Sequence, residues 1–110
     1  MDHAFFRHRV FTRCEVWGAI DVVIVGFIAF RQGWIDQLYV LPGWQRHWYG
    51  RALLQTAQAV STSLQLWTFQ RNGPARRFYE TNGFVPVERT DGSGNEEREP
   101  DVLYCWDTER

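Results

Sequence analysis

Hydrophobic and polar positions along the chain follow two different periods. Short apolar or alternating runs are typical of β-strands, and 22–31 is the richest of them in Val, Ile and Phe. Leu53, Ala57 and Val60 recur at helical spacing, and a second helical segment follows the Asn-Gly-Pro sequence at 72–74. The pattern predicts strands at 15–20, 22–31, 34–41, 64–69, 84–89 and 101–106, and helices at 48–61 and 72–83.

The predicted order of elements is β-β-β-α-β-α-β-β. Helices that alternate with strands, together with an antiparallel hairpin at each end, indicate a mixed α/β or α+β layer fold. Residues 1–12 are ambiguous, because their aromatic positions suit either the end of a helix or a packed loop. The segment 90–100 is rich in Gly, Ser, Asn and Glu and predicts a solvated loop, with attraction of a basic acceptor as an alternative role.

Composition narrows the class of protein. A chain of 110 residues with 45% hydrophobic residues supports one domain, 1–110, with its own core. The net charge of −1 provides no global field for nucleic acid or for an anionic membrane. The longest apolar run, 22–30, is shorter than the roughly 20 residues that cross a bilayer. We therefore expect neither a nucleic-acid nor a membrane partner.

Cysteine and histidine usage points away from a metal site. Cys14 and Cys105 lack metal-ligand spacing, and none of the three histidines is spaced to join them as a ligand. The N-terminus also lacks the uninterrupted apolar segment of a signal peptide. We expect no metal and a reduced, cytoplasmic location.

The segment 34–59 carries the clearest candidate chemistry. A buried strand leads through Pro42-Gly43 and a polar, aromatic loop into a helix that begins near Gly50. The first turn of a helix has N–H groups without internal partners, and its dipole favours negative charge there. Such a helix start is suited to a phosphate or pyrophosphate.

Two motifs in this chain resemble those of the GCN5-related N-acetyltransferase (GNAT) superfamily. The loop before the first helix is similar to the family's Gln/Arg-x-x-Gly-x-Gly/Ala pyrophosphate loop, and NGPARRFYETNGF at 72–84 is similar to the family's Asn-x-x-Ala-x-x-Phe-Tyr-x-x-x-Gly-Phe helix. The resemblance extends from about Glu15 to Trp106. It implies a mixed, mostly antiparallel central sheet with helices, from which the usual N-terminal strand and helices are missing. Residues 1–12 would be a remnant of that helical region.

The resemblance implies an acetyl-CoA-dependent N-acetyltransferase that moves an acetyl group to a primary amine of a small molecule or peptide. Pantetheine would meet the backbone near 38–41, the pyrophosphate would meet the loop and helix start, and the 3′-phosphate would meet a basic residue. The implied cofactor-binding residues are Leu38, Tyr39, Val40, Leu41, Gln45, Arg46, His47, Trp48, Tyr49, Gly50, Arg51, Asn72 and Arg76. Trp48 departs from the pattern because it occupies the position of the first glycine, where an indole either narrows the pocket or redirects the loop.

Two residues are candidates for proton transfer. Tyr79 matches the family's general acid, which protonates the departing CoA thiolate, and a phenol with a pKa near 10 suits that role. The alternative is a half-buried aromatic that packs on the helix. Asp36 is the best candidate for a general base, with an edge carboxylate as the alternative, and many family members deprotonate the amine through water instead. Asn72 is a helix cap under either interpretation.

A second hypothesis retains the fold without the chemistry. A catalytically impaired GNAT-fold module would bind CoA or a protein partner, with Trp48 and Arg46 obstructing the pyrophosphate loop. The shortened N-terminal region would leave an exposed sheet edge and an apolar face, which proteins normally cover. We therefore expect a homodimer under both hypotheses. The acceptor stays undetermined, because a fold does not fix a substrate.

Overall fold

The computed structural model describes residues 4–10, 14–21, 23–43, 45 and 48–108, with side chains described from residue 26 onward. It divides into two compact units, Met1–Thr62 and Ser63–Arg110. Trp44, Arg46 and His47 lie outside the described residues.

The first unit is an antiparallel sheet with one helix. Its elements are β1 (Ala4–Val10), β2 (Cys14–Asp21), β3 (Val23–Arg31), β4 (Trp34–Val40) and α1 (Tyr49–Ala59). Each strand pairs antiparallel with the next one along the chain, for example Trp17 with Ile28 and Ile28 with Leu38. Such consecutive antiparallel pairing needs only short connections.

Alternation along the strands and the helical period of α1 bring apolar positions to a common core. Ile28, Leu53, Leu54 and Ala57 are completely buried, and α1 lies against β2, β3 and β4. Burial of apolar side chains is the main contribution to stability in such a unit.

The second unit is a three-stranded antiparallel sheet with a helix inserted after its first strand. Its elements are β5 (Ser63–Phe69), α2 (Gly73–Thr81), β6 (Val85–Arg89) and β7 (Asp101–Asp107). β7 is the central strand, and its residue Tyr104 pairs with Leu66 on one side and Pro86 on the other. The buried core of this unit consists of Leu64, Leu66, Phe84, Val102 and Tyr104.

Helix α2 begins and ends where its sequence predicts. The side chain of Asn72 accepts a hydrogen bond from the Ala75 amide at 3.2 Å, which satisfies one of the unpaired donors of the first turn. Pro74 occupies an early position where a missing N–H costs nothing. At the other end, the Phe84 amide donates to the Tyr79 carbonyl at 3.0 Å.

The connection between β6 and β7 is an ordered loop braced by its own side chains. Asn95 is central to it, since its Nδ2 donates to the Glu99 carbonyl at 2.8 Å and its Oδ1 accepts from the Glu99 amide at 3.2 Å. Thr90 donates to the Asp101 carboxylate, and the Gly92 amide donates to Thr90 Oγ1 at 3.1 Å. The segment predicted as a solvated loop is therefore closed by specific hydrogen bonds.

The predicted mixed α+β class is confirmed, and every predicted helix and strand is present within a few residues of its expected bounds. The interpretation of residues 1–12 as a helical remnant is wrong for 4–10. These residues form β1, which pairs antiparallel with β2 from Ala4↔Ile20 to Val10↔Cys14. Pairing with β2 satisfies the backbone groups of β1, and the aromatic and basic residues of this segment show no clear period that would indicate a strand.

Gly92 provides a test of the braced loop. It has φ +85°, and a Cβ atom at this position would lie 2.4 Å from the Glu99 carbonyl carbon. We expect Gly92→Ala to lower the free energy of unfolding by about 1–3 kcal/mol, because it adds backbone strain and a backbone clash. Gly94→Ala is the matched control, since a Cβ there has no neighbour within 4 Å. Urea denaturation checks this, and equal effects of the two substitutions would contradict it.

Candidate functional site

The strand-to-helix connection of the first unit is held by Gln45. Its Nε2 donates to the Val40 carbonyl at 3.0 Å, so that the loop folds back on the last residue of β4. The chain then enters α1 at Tyr49, and the Ala52 amide donates to the Trp48 carbonyl at 2.9 Å as the first bond of the helix. This arrangement fixes where the N-terminus of α1 lies relative to the end of β4.

The first turn of α1 is suited to an anion. It contains no acidic residue, and Arg51 in it is exposed. The helix dipole and the unpaired amides of a first turn favour negative charge, and a guanidinium adds a charged donor. The residues described here therefore fit a pyrophosphate group.

Trp48 departs from the family pattern by its size and not by its backbone. Its φ of −74° and ψ of −1° are open to any residue, so no glycine is required by conformation. Its indole stacks on the buried ring of Tyr49 with 5.0 Å between centroids and is 44% exposed. Any obstacle that Trp48 presents to a ligand comes from the volume of its side chain and not from its backbone conformation.

The end of β4, where pantetheine contacts are implied, lies close to β3. Leu38 pairs with Ile28, Tyr39 with Phe27 and Val40 with Gly26. A Cβ atom on Gly26 would lie 2.7 Å from the Tyr39 carbonyl oxygen, so only glycine allows this approach without a shift. Leu38 and Leu41 are half-buried, and Tyr39 is exposed. Their contact with cofactor stays a prediction.

Asp36 forms an ion pair within its own hairpin. Arg31 Nε lies 3.1 and 3.3 Å from the two carboxylate oxygens, and both side chains are largely exposed. The geometry supports the edge-carboxylate alternative directly. A role as general base stays a prediction, and it requires this pair to open.

Tyr79 lies in an aromatic cluster of the second unit. Its ring is 5.3 Å from that of Phe78, 5.7 Å from Phe84 and 6.2 Å from Tyr104, measured between centroids. Burial raises the pKa of Tyr79 to about 12, because the phenolate loses its hydration there. Tyr79 therefore does pack against neighbouring aromatic rings, as the alternative interpretation expected. The phenol also stays protonated at neutral pH, as a proton donor must, although it is a weaker acid than an unperturbed tyrosine.

Arg76 is engaged inside the second unit. Its Nε donates to the Tyr104 hydroxyl at 3.1 Å, and its Nη1 donates to the Gln70 carbonyl at 3.2 Å. The Tyr104 hydroxyl in turn donates to the Glu80 carboxylate. Burial and the Glu80 bond raise the pKa of Tyr104, whereas Arg76 lowers it. The implied contact of Arg76 with the 3′-phosphate stays a prediction.

Sequence reasoning missed Tyr104 and Glu80. The one available signal was the spacing of Arg76 and Glu80, four residues apart, which places both on one face of α2. Asn72, by contrast, was identified as a helix cap, and that role is confirmed by its bond to the Ala75 amide. Its contact with cofactor stays a prediction.

Among the described residues there is neither a cluster of metal ligands nor a helix able to span a membrane. No group of three or more His, Cys, Asp and Glu side chains among them is arranged to hold a metal ion. Neither helix in this part of the chain has the length and apolar character that would be needed to span a membrane.

Comparison with known families identifies the class of protein. A family model described as the acetyltransferase (GNAT) domain matches residues 12–86, which is more than half of the chain. The chain therefore belongs to the GNAT acetyltransferase family, a family of acyltransferases.

Individual relatives agree with this assignment. The peptidyl-lysine N-acetyltransferase YiaC of Escherichia coli strain K12 is 34% identical over 69 residues, covering 62% of this chain and 47% of YiaC. The chain thus spans about half the length of that relative. A GNAT-family protein of Desulfovibrio desulfuricans shares the fold with a TM-score of 0.80 at 16% identity, over 96% of this chain and 99% of that one. Arabidopsis thaliana NAA60, solved in complex with acetyl-CoA, gives 0.76 at 18% identity over 89% and 78%.

The raised pKa of Tyr79 predicts a loss of stability at high pH. An unfolded tyrosine ionises near 10.0, whereas folded Tyr79 ionises at about 12. The contribution of Tyr79 is therefore fully present below the first value and disappears as the pH rises through the second. We expect the difference in unfolding free energy between the native protein and Tyr79→Phe to shrink across this interval. Urea denaturation at several pH values measures this difference. Parallel curves of unfolding free energy against pH for the two proteins would contradict the raised pKa of Tyr79.

Proposed function

We propose that the protein is an acetyl-CoA-dependent N-acetyltransferase that acetylates a primary amine of a small molecule or peptide. The observation that carries the proposal is the half-buried phenol of Tyr79, which lies in an aromatic cluster at the position of the family's general acid. The similarity to YiaC, a peptidyl-lysine acetyltransferase, makes a lysine side chain in a peptide the first acceptor to test.

Binding of acetyl-CoA would use the start of α1 and the end of β4. The α1 amides and Arg51 would neutralise the pyrophosphate, with Arg46 and His47 in the same loop. Backbone groups of 38–41 would align pantetheine. Alignment of the two reactants supplies a large part of the rate in such a transfer.

In the reaction, acetyl-CoA supplies an acyl group activated as a thioester. The amine nitrogen forms a bond to the carbonyl carbon, the carbon–sulfur bond breaks, and the amine loses a proton. We assign that proton to water, because both carboxylate oxygens of Asp36 lie within 3.3 Å of Arg31 Nε. Tyr79 would donate a hydrogen bond to the leaving sulfur, which departs as the CoA thiolate and takes up a proton from solvent.

The phenolic proton of Tyr79 is held tightly. A thiol has a pKa of about 8.5, well below the value of about 12 for Tyr79, so full transfer from phenol to thiolate is uphill. Tyr79 would therefore stabilise the developing thiolate by a hydrogen bond. This role needs an exact position of the ring more than it needs a strong acid.

The first test is a calorimetric titration with acetyl-CoA and, separately, with CoA. We expect micromolar binding, and Trp48→Gly should tighten it several-fold by removing side-chain volume at the loop. Trp48→Ala is the matched control: because the backbone at Trp48 needs no glycine, Ala and Gly should act alike.

The outcomes of this titration separate the two candidate functions. An unchanged dissociation constant in both variants would show that Trp48 is no obstacle. Absence of binding at millimolar concentrations in the native protein and in both variants would favour the catalytically impaired module. The half-exposed indole of Trp48 at the loop is the observation that favours this second candidate.

The role of Tyr79 is tested by turnover. We expect Tyr79→Phe to lower the rate of CoA release in the presence of a lysine peptide by at least about tenfold, because loss of one positioned donor to a developing negative charge costs on the order of 10²–10³ in rate. The dissociation constant for acetyl-CoA should stay unchanged, because the ring is retained. Undiminished turnover would return Tyr79 to a packing role alone.

We further propose a homodimer located in the cytoplasm. The dimer is supported by exposed apolar side chains in the second unit, with Trp67 at 42% and Val87 at 52% exposure. A monomeric mass at micromolar concentration in light scattering would contradict it.

A further inference from the structure

The Tyr104 hydroxyl ties α2 to the central strand of the second unit. Tyr104 on β7 is completely buried, and its oxygen lies between Arg76 and Glu80, one turn apart on α2. It accepts from the guanidinium and donates to the carboxylate, so that both partners are charged. Such charge-assisted bonds are stronger and more directional than neutral ones.

The same network extends to both ends of the β6–β7 loop. Arg76 Nη1 donates to the Gln70 carbonyl, and Gln70 Nε2 donates to the carbonyls of Thr90 at 2.8 Å and Asp101 at 3.0 Å. Arg76 thus connects the helix to the segment after β5, and Gln70 connects that segment to the start of β7. These bonds fix α2 both along and across the sheet.

We propose that Tyr104, acting with Arg76 and Glu80, is a positioning residue that holds the Tyr79 ring in its place, and that Arg76 serves in this clamp and not on a phosphate of the cofactor. Tyr79 directly precedes Glu80 on α2, and its ring lies 6.2 Å from that of Tyr104. A small shift of α2 along β7 would therefore move the phenol. The catalytic consequence rests on the proposed function, whereas the positioning itself does not.

Removal of the hydroxyl has a definite structural consequence. In Tyr104→Phe the ring still fills the core, but Arg76 and Glu80 lose their common partner. At a spacing of four residues they can pair with each other on the helix surface, which leaves α2 held to β7 by apolar contacts alone. Water then gains access to the aromatic cluster around Tyr79.

The first experiment follows Tyr79 in Tyr104→Phe by NMR titration of its ring carbon, assigned by comparison with Tyr79→Phe. We expect the pKa of Tyr79 to fall from about 12 towards 10.0 by more than half a unit. For acetyl transfer to a lysine peptide, kcat should fall several-fold while KM for acetyl-CoA stays constant. Arg77→Ala, on the exposed side of the same helix, should leave the pKa of Tyr79, kcat and KM unchanged.

Glu80→Ala provides a second variant, because Glu80 is exposed and its loss leaves the core intact. It should lower the pKa of Tyr79 in the same direction as Tyr104→Phe. An unchanged pKa in both variants would overturn the proposal.

The second experiment distinguishes the clamp from a phosphate contact. Dissociation constants for CoA and 3′-dephospho-CoA are compared in the native protein and in Arg76→Ala. The clamp predicts the same ratio in both proteins and a lowered pKa of Tyr79 in the variant. A ratio that collapses in Arg76→Ala, with the pKa of Tyr79 unchanged, would assign Arg76 to the phosphate and overturn the proposal. If the native protein binds neither ligand, the proposed function fails, and the NMR titration still decides the clamp.

Discussion

A buried hydroxyl must find partners, and in the second unit this requirement fixes how a helix lies on a strand. Tyr104 is completely buried, and its oxygen satisfies its hydrogen-bonding capacity with two charged side chains from α2. An unpaired phenol at this position would be costly, so the helix cannot slide without breaking both bonds. The aromatic cluster that contains Tyr79 is built on that fixed geometry. The position of α2 therefore depends on one hydroxyl whose two charged partners extend to the surface.

In the first unit, the important feature is the backbone connection from β4 to the start of α1. Gln45 returns the loop to the end of β4, and the first turn of α1 contains no acidic residue and carries the exposed Arg51. The suitability of this region for an anion depends on helix geometry more than on particular side chains. That is why a bulky residue at Trp48 leaves the conformation of the helix start intact and affects only the space beside it.

Features that depend on neighbours in the chain were predictable from sequence. The Asn72 cap, the early Pro74 and the helical period of α1 each involve residues within a few positions of one another, and all are present. β1 was missed because its aromatic and basic residues show no clear period, and only pairing with β2 makes it a strand. The Tyr104 clamp was missed for a different reason, since Tyr104 and Arg76 are 28 residues apart and no local pattern links them. Motif resemblance located Tyr79 but gave no account of what surrounds it, and it gave no indication of the bond between Arg76 and Tyr104.

The packing of Tyr79 means that the fold can be retained in evolution when the chemistry is lost. Because the ring is held by Phe78, Phe84 and Tyr104, a phenylalanine at the same position would fill the same space. A single change of codon can therefore remove the hydroxyl and leave a protein that folds, persists and is inherited. Catalytically active and inactive descendants of such a chain could differ by one oxygen atom, and similarity of fold would not distinguish them.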